Sequence, residues 1–213
     1  VMKKLILPLL LLVAFGMLAA VESDPSDVVG YVKYTLYAGD NAIATPMDQG
    51  YTNASGVGNA IPGCTSVKYF DGATQQWVAA NKAPFPPFPW GPVDFAIAEG
   101  DPLLISTPTA GDFYSIGDLP DPLATYTLYA GDNFIMVPLD QSNLNLASLV
   151  GNNIPGCTSV KYFDGATQQW VAANKAPFPP FPWGPVDFAT AIGDALLIST
   201  PTAGTWPGAK LSK

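Results

Sequence analysis

The chain repeats itself at a spacing of about one small domain, and this duplication constrains the fold more than any other feature. Residues 34–41 recur at 126–133, an offset of 92, and residues 61–96 recur without a change at 154–189, an offset of 93. Such a period exceeds the roughly 20–50 residues of solenoid repeats. The sequence therefore predicts two tandem domains, here called module 1 and module 2.

The first twenty residues have the three parts of a secretory signal peptide. Lys3 and Lys4 form a short basic stretch, residues 5–15 are apolar, and small residues end at Ala20. The apolar run is shorter than the roughly 20 residues that a membrane-spanning helix needs. We therefore expect residues 1–20 to be a cleaved signal peptide, which leaves a secreted protein without a membrane anchor.

An extended segment at residues 21–30 is expected to precede module 1 at 31–120 and module 2 at 121–213. Within module 1, residues 66–70 and 76–79 are rich in strand-forming residues and flank an Asp-Gly turn, which predicts a β-hairpin. Further short strands are separated by Gly and Pro. The predicted fold class is all-β, with two small β-sandwich or barrel-like modules in tandem.

Two further segments carry weaker local patterns. Residues 93–97 alternate apolar and polar side chains, which predicts a strand. Residues 144–150 have helical spacing, with Ser142 or Asn143 as a candidate cap. The counterpart of that segment in module 1 is rich in glycine and is expected to be an irregular loop.

The charged residues exclude several classes of function. All nine basic residues are Lys, and the chain has neither Arg nor His. Without the two lysines of the signal peptide, 7 Lys face 17 acidic residues, a net charge of about −10. The lack of guanidinium groups and the negative charge argue against binding to nucleic acid, and the acidity argues against anionic membranes. The lack of His removes the usual general base and the commonest transition-metal ligand.

Each module carries five matching aspartates, and their spacing favours no catalytic pair. They are Asp40, Asp48, Asp71, Asp94 and Asp101 in module 1, and Asp132, Asp140, Asp164, Asp187 and Asp194 in module 2. Aspartate in a turn commonly hydrogen-bonds its own backbone, so structural roles are expected, with calcium coordination as the weaker alternative. We expect no enzymatic activity, no resident metal and no cofactor.

Residues 84–92, repeated at 177–185, contain five prolines in nine residues. The prolines exclude a central strand and favour polyproline II. Two interpretations remain open: a rigid loop that folds its rings over the sheet, or an exposed aromatic patch that contacts a ligand or another subunit. The candidate contact residues are Phe85, Phe88, Trp90, Phe178, Phe181 and Trp183.

Each module has a single cysteine, Cys64 or Cys157, so no disulfide can form within a module. Buried free thiols, a bond between the modules and a bond between chains remain open. A Cys64–Cys157 bond requires Cα atoms within about 7 Å, which a pseudo-twofold packing of the modules would have to provide. Buried thiols are favoured because each cysteine leads into an apolar strand.

The chain resembles a class of bacterial exported β-rich modules. It shares their Val-Val-Gly-Tyr-Val opening at residues 28–32, an Ala-Gly-x-Asn-x-Ile-x-x-Pro-Leu segment at 130–139, and a Val-Lys-Tyr-Phe-Asp-x-Ala-Thr-Gln-x-Trp strand pair. The close at residues 193–198 reads Gly-Asp-x-Leu-x-Ile. Such modules occur mostly in surface or extracellular proteins without an assigned activity. The resemblance therefore implies a bacterial extracellular or cell-surface location and a β-rich fold, and it supplies no catalytic residues.

The function expected from the sequence is that of a structural protein of the cell exterior, self-assembling into a filament or surface layer. Module 1 of one chain is expected to meet module 2 of another head to tail, a contact that does not close and yields fibres. Residues 26–36 are suited to pairing with a sheet edge. The alternative is a bivalent carbohydrate-binding or adhesive protein, with Trp90 and Trp183 as stacking platforms. The expected partner is thus the protein itself, or a glycan.

Overall fold

The computed structural model describes residues 29–85, 90–120, 124–178 and 183–207. Within these ranges the chain forms fourteen strands and two short helices, and the predicted all-β class is confirmed. No described helix is both long enough and apolar enough to cross a membrane. The signal-peptide prediction falls on residues outside the described ranges.

Module 1 contains seven strands and one helix. They are β1 (Val29–Leu36), β2 (Gly39–Ala44), α1 (Ala54–Ala60), β3 (Ser66–Asp71), β4 (Gln76–Lys82), β5 (Trp90–Pro92), β6 (Pro102–Thr107) and β7 (Gly111–Asp118). Five strands form an antiparallel sheet in the order β2-β6-β3-β4-β5, and β1 pairs with β7 as a separate two-stranded ribbon.

Module 2 repeats this arrangement. Its elements are β8 (Tyr126–Leu128), β9 (Gly131–Met136), α2 (Ala147–Asn153), β10 (Ser159–Asp164), β11 (Gln169–Lys175), β12 (Trp183–Pro185), β13 (Ala195–Thr200) and β14 (Gly204–Trp206). The sheet order is β9-β13-β10-β11-β12, with β8 and β14 as the ribbon. The β8–β14 ribbon has three residue pairs, whereas the β1–β7 ribbon has eight.

The core of each module lies between the inner face of its five-stranded sheet, the helix and the ribbon. In module 1 the sheet contributes Ile43, Val67 and Ile105, the helix contributes Val57, and the ribbon contributes Phe113. All five side chains are buried, and each such burial contributes about 1.5–3 kcal/mol. The period-2 alternation of the strands therefore puts the apolar side chains in a sandwich-like core.

The predicted hairpin forms in both modules, because the Asp side chain holds the turn together. Asp71 accepts hydrogen bonds from the Ala73 amide at 3.0 Å and the Thr74 hydroxyl at 2.6 Å. The Thr74 hydroxyl, followed by the backbone amides, holds the pKa of Asp71 below its ordinary value. The next residue, Gln75, has a positive φ of 60°. The turn thereby directs the Gln75 side chain away from its own sheet.

The helical prediction for residues 144–150 is partly wrong. The helix α2 begins three residues later, after Leu146, and no side chain caps its N-terminus. The corresponding glycine-rich segment of module 1, expected to be a loop, also forms a helix. There Asn53 caps α1 by accepting from the Gly56 amide, and Asp94 accepts from the Ser55 amide at 2.8 Å. These caps offset the poor helix propensity of glycine.

The prediction of a strand at residues 93–97 is also wrong. Only Ala96 pairs, through a single bridge to Asn53, and the equivalent bridge in module 2 joins Ala189 to Leu146. The Asp94 side chain accepts a hydrogen bond from the Ser55 hydroxyl of α1. The segment is therefore held against α1 and not paired along a neighbouring strand.

Candidate functional site: the junction between the modules

The outer faces of the two five-stranded sheets pack against each other. Val67 and Tyr69 point into the core of module 1, so the alternate positions of β3, among them Phe70, point towards module 2. Phe70 joins an apolar cluster built around Phe134 and Leu197 of module 2. The junction is thus a second sheet-on-sheet core, made by both halves of the chain.

Two equivalent tryptophans meet across this junction, where Trp77 remains 37% exposed. Trp77 and Trp170 lie 93 positions apart, and their rings stack with centroids 6.3 Å apart and an interplanar angle of 29°. Phe134 packs edge-on against Trp77 at 5.3 Å and against Trp170 at 6.1 Å. Since equivalent residues contact each other, a pseudo-twofold axis passes between the two rings, as at an isologous dimer interface.

A pair of glutamines fastens the junction on either side of that axis. The Gln168 Oε1 accepts from the Asp40 backbone amide at 2.7 Å, and the Gln168 Nε2 donates to the Asp40 carbonyl at 2.9 Å. Gln75 makes the same two bonds to Asp132, at 2.7 and 2.8 Å. Each hairpin turn therefore hydrogen-bonds to the backbone of the edge strand, β2 or β9, of the other module. We call these four bonds the glutamine clasp.

The clasp depends on a glycine at each receiving edge. Gly39 and Gly131 have φ values of 107° and 112°, a conformation that side-chain-bearing residues rarely adopt. A Cβ on Gly39 would collide with the Gln168 amide, and a Cβ on Gly131 would collide with the Gln75 amide. The Gly-Asp dipeptide that recurs in both modules is therefore the receptor for the glutamine of the other module.

Two tyrosines also form hydrogen bonds across the junction, Tyr34 buried and Tyr126 partly buried. The Tyr34 hydroxyl donates to the Gly193 carbonyl at 2.9 Å, and the Tyr126 hydroxyl donates to the Gly100 carbonyl at 2.7 Å. Burial raises the pKa of both phenols far above the ordinary value, so both remain protonated donors. The junction therefore combines stacked rings with paired polar bonds.

This geometry changes the expected mode of assembly. At the junction, the outer sheet face of module 1 packs against the equivalent face of module 2. Within one chain both faces are therefore already covered. A fibre that repeats the contact head to tail, as expected from the sequence, would require the modules of one chain to separate first. Self-pairing of the two linked modules is favoured by their high effective concentration. Chains that keep this junction intact can therefore assemble only through other surfaces.

Two equivalent clefts flank the apolar centre of the junction. The first cleft has a volume of about 410 Å³ and the second about 460 Å³. The first is lined by Tyr34, Tyr162, Phe163, Phe188 and Asp194. The second is lined by the equivalent residues Tyr126, Tyr69, Phe70, Phe95 and Asp101. Each cleft has walls from both modules, so it exists only when the modules are docked.

The aspartates have the structural roles predicted for them, with one addition. In each cleft the carboxylate Oδ2 holds a turn: Asp101 accepts from the Ala98 amide and Asp194 from the Ala191 amide, both at 2.8 Å. The addition is Asp40, which forms an ion pair with Lys68 at 2.9 Å and accepts from the Ser106 hydroxyl. Among the described residues, no three His, Cys, Asp or Glu side chains cluster as a metal site would require.

The aromatic contact residues predicted from the Pro-rich segments divide into three groups. Trp90 and Trp183 are only 9% and 8% exposed. Phe85 and Phe178 are each 79% exposed. Phe88 and Phe181 lie outside the described residues.

The buried tryptophans belong to the core of each module, which corrects their assignment as stacking platforms. The Trp90 ring lies over Gly58 so closely that a Cβ there would overlap it, and its indole N–H donates to the Asn59 side chain at 3.0 Å. The Lys82 ammonium lies 5.7 Å from the ring centroid. Trp183 makes the matching contacts in module 2. Neither ring face is free for a sugar.

Both cysteines are free and buried, as the sequence analysis favoured over a disulfide between modules or between chains. The Cys64 thiol donates to the Ser66 carbonyl at 3.3 Å, and the Cys157 thiol donates to the Ser159 carbonyl at 3.3 Å. Burial raises the pKa of both thiols. The disulfide between the modules is not formed, and a disulfide between chains, which the sequence also left open, would require a buried thiol to become exposed.

The long ribbon of module 1 leaves a large apolar surface uncovered. Its outward-facing side chains include Tyr31, Tyr114 and Ile116, which are 70%, 45% and 54% exposed. No described strand pairs with the outer edge of β1.

No protein-family model, no curated protein and no solved structure matches this chain.

Sequence reasoning did not identify the glutamine clasp, the junction clefts or the ribbon surface. The signal for the clasp was present, since Gly-Asp and Asp-Gly-Ala-Thr-Gln recur in both copies, but each motif reads as an ordinary turn. Asp40 and Gln168 are 128 positions apart, and no local pattern connects them.

Proposed function

We propose that the protein is a non-catalytic structural protein of the cell exterior that self-assembles through the β1–β7 ribbon of module 1. The observation that carries this proposal is the outer edge of the eight-residue strand β1. On one side β1 pairs with β7, and no described strand pairs with it on the other side. The signal-like N-terminus and the resemblance to bacterial exported modules support the compartment.

The side chains of the ribbon favour a protein partner. Tyr34 and Leu36 point into the core, while Tyr31 and Thr35 point outwards on the same strand. Tyr31 pairs in register with Ile116 of β7, so two large exposed apolar side chains lie side by side. Soluble proteins usually blunt such edges with charge, bulges or a covering segment. The same face also carries the exposed Lys33–Asp112 ion pair, but the backbone edge of β1 stays open and serves as a template for another strand.

The occupant that fits this edge is the β1 strand of a second copy. Antiparallel pairing of two β1 strands would convert two ribbons into one four-stranded sheet, with the rings of both copies on a shared face. Among the described residues each chain offers one such long edge, because the module 2 ribbon has only three pairs there. Pairing through this edge therefore forms dimers. Phe85 and Phe178 provide equivalent exposed contacts through which the dimers extend into a filament or layer.

The test is sedimentation velocity and negative-stain microscopy of the chain without residues 1–20. We expect the wild type to associate, and Tyr31→Lys combined with Ile116→Lys to sediment as a monomer. Thr127→Lys is the matched control, because it adds a lysine to an exposed position of the module 2 ribbon. A wild-type protein that stays monomeric at high concentration would refute the proposal.

A second candidate function is supported by the exposure of Phe85 and Phe178. In a bivalent carbohydrate-binding or adhesive protein, these two rings would be the contact residues, in place of the buried tryptophans. A glycan array compares the wild type with Phe85→Ala combined with Phe178→Ala. Selective binding that the double substitution abolishes would favour this candidate, whereas an assembly protein should bind nothing on the array.

A further inference from the structure

The two junction clefts have the composition of a small-molecule site. Their volumes lie in the range of about 300–1,000 Å³ that is usual for such sites. In the first cleft the walls are aromatic rings from Tyr34, Tyr162, Phe163 and Phe188, and the one charged lining residue is Asp194. No lysine lines either cleft.

The carboxylate in each cleft is only partly satisfied by the protein. The hydrogen bonds of the described residues use Oδ2 of Asp194 and Oδ2 of Asp101, and neither Oδ1 receives a donor. Burial raises the pKa of both carboxyls above the ordinary value, and in Asp101 the neighbouring Glu99 adds to the shift. A cation bound beside such a carboxylate would favour its ionised form and offset the cost of burial.

We propose that each junction cleft binds a small organic ammonium ion, held between the aspartate and the faces of the surrounding aromatic rings. Aromatic faces attract cations, and the attraction increases when the cation is desolvated. An anion would be repelled by the carboxylate. The net charge of −8 for the whole chain also draws cations towards the surface.

A sugar fits the clefts less well than a cation does. Sugar recognition needs several convergent donors and acceptors, whereas the side chains of each cleft offer a carboxylate oxygen and one further phenol, Tyr162 in the first cleft and Tyr69 in the second. The hydroxyls of Tyr34 and Tyr126 are already committed to the Gly193 and Gly100 carbonyls. An ammonium group with an apolar envelope needs only the charge and the ring faces.

The two clefts should differ in affinity. The first cleft has Ala42 and Ala195 where the second has Phe134 and Pro102. The additional ring of Phe134 enlarges the aromatic wall of the second cleft. We therefore expect two binding events per chain, the tighter one in the second cleft.

Isothermal titration calorimetry of the full-length mature chain with choline tests the proposal. We expect a stoichiometry of two for the wild type, and one for Asp194→Asn or Asp101→Asn alone. The double variant should bind at least tenfold more weakly at both clefts. Asparagine keeps a carbonyl oxygen for the Ala191 or Ala98 amide, so the turns should persist. Asp112→Asn is the matched control, because it removes an equal charge from the exposed ion pair with Lys33.

Neohexyl alcohol, the uncharged isostere of choline, separates charge from shape. We expect no measurable heat with this alcohol, and an upfield ring-current shift of the choline methyl protons on binding. Equal affinity for choline and the alcohol, or unchanged affinity in the double variant, would overturn the proposal. The outcome is independent of self-assembly, since the clefts lie at the module junction and Tyr31 and Ile116 lie on the ribbon. Loss of one property therefore leaves the other measurable.

Discussion

Adjacent glutamines in each hairpin allow the junction to be tested with matched substitutions. Gln75 and Gln168 form the clasp, whereas Gln76 and Gln169 are exposed at the starts of β4 and β11. Replacing Gln75 and Gln168 together by alanine removes four hydrogen bonds between the modules and one bond within each hairpin, from the glutamine Nε2 to the carbonyl of Gly72 or Gly165. Replacing Gln76 and Gln169 changes the same atoms in the same hairpins but leaves the junction intact.

The expected loss of stability can be worked from the bonds. Each hydrogen bond contributes about 0.5–1.5 kcal/mol net, so each clasp glutamine contributes about 1–3 kcal/mol before entropy is considered. The four bonds that both glutamines make across the junction together therefore contribute about 2–6 kcal/mol. The two freed side chains recover up to about 3–4 kcal/mol of rotamer entropy in total, and because both side chains are exposed in the fold we take half of this recovery, which leaves a net loss of about 2 kcal/mol at the middle of the range. Alanine retains the backbone preferences of a side-chain-bearing residue, so the positive φ of Gln75 and Gln168 adds no further difference.

Equilibrium urea unfolding, followed by tryptophan fluorescence, measures this loss. Trp77 and Trp170 stack at the junction and report on its opening. We expect Gln76→Ala with Gln169→Ala to stay within about 0.5 kcal/mol of the wild type, as surface substitutions usually do. If the clasp double variant also stays within that range, the inference that the glutamines fasten the modules is refuted.

Three further predictions follow from buried or hydrogen-bonded groups. Trp90→Ala should lower the free energy of unfolding by about 3–5 kcal/mol, measured by urea denaturation, because the indole fills a core position. Cys64 and Cys157 should react with a thiol reagent only after denaturation, and rapid labelling of the native protein would contradict their burial. NMR titration should place the Asp71 carboxyl below and the Asp194 carboxyl above the ordinary aspartate pKa. Since the pKa of Asp71 is depressed in the fold, its contribution to stability should be present above the unfolded value and disappear as the pH falls through the folded one. The pKa of Asp194 is raised, so the opposite sign holds, and protonation as the pH falls should favour the folded state.

Local patterns predicted much of the strand content. The hairpin around Asp71 and the buried strand β6 depend on alternation and turn chemistry within a few residues, so single-sequence reasoning could find them. The helix α1 was not predicted because its own residues include two glycines. Its stability comes from the caps that Asn53 and Asp94 provide, and Asp94 is about 40 positions away. A capping residue recruited from a distant segment leaves no local signal.

The functional surfaces were harder to predict than the fold. The burial of Trp90 could not be read from a segment so rich in proline, because it depends on the absence of a side chain at Gly58. The exposure of Phe85 was one of the two interpretations left open. The clefts require residues from both modules, so neither repeat alone contains the pattern that forms them.

A large difference between the copies at the junction explains why module 1 pairs with module 2. Phe134 lies close to the pseudo-twofold axis and contacts both Trp77 and Trp170, whereas Ala42 occupies the equivalent position in module 1. A pair of two modules 2 would bring two phenylalanines into space that holds one, and a pair of two modules 1 would leave a void. Both overpacking and cavities destabilise an apolar contact. The asymmetry therefore specifies the pairing within the chain and disfavours exchange between like modules, in keeping with the proposed assembly through the ribbon.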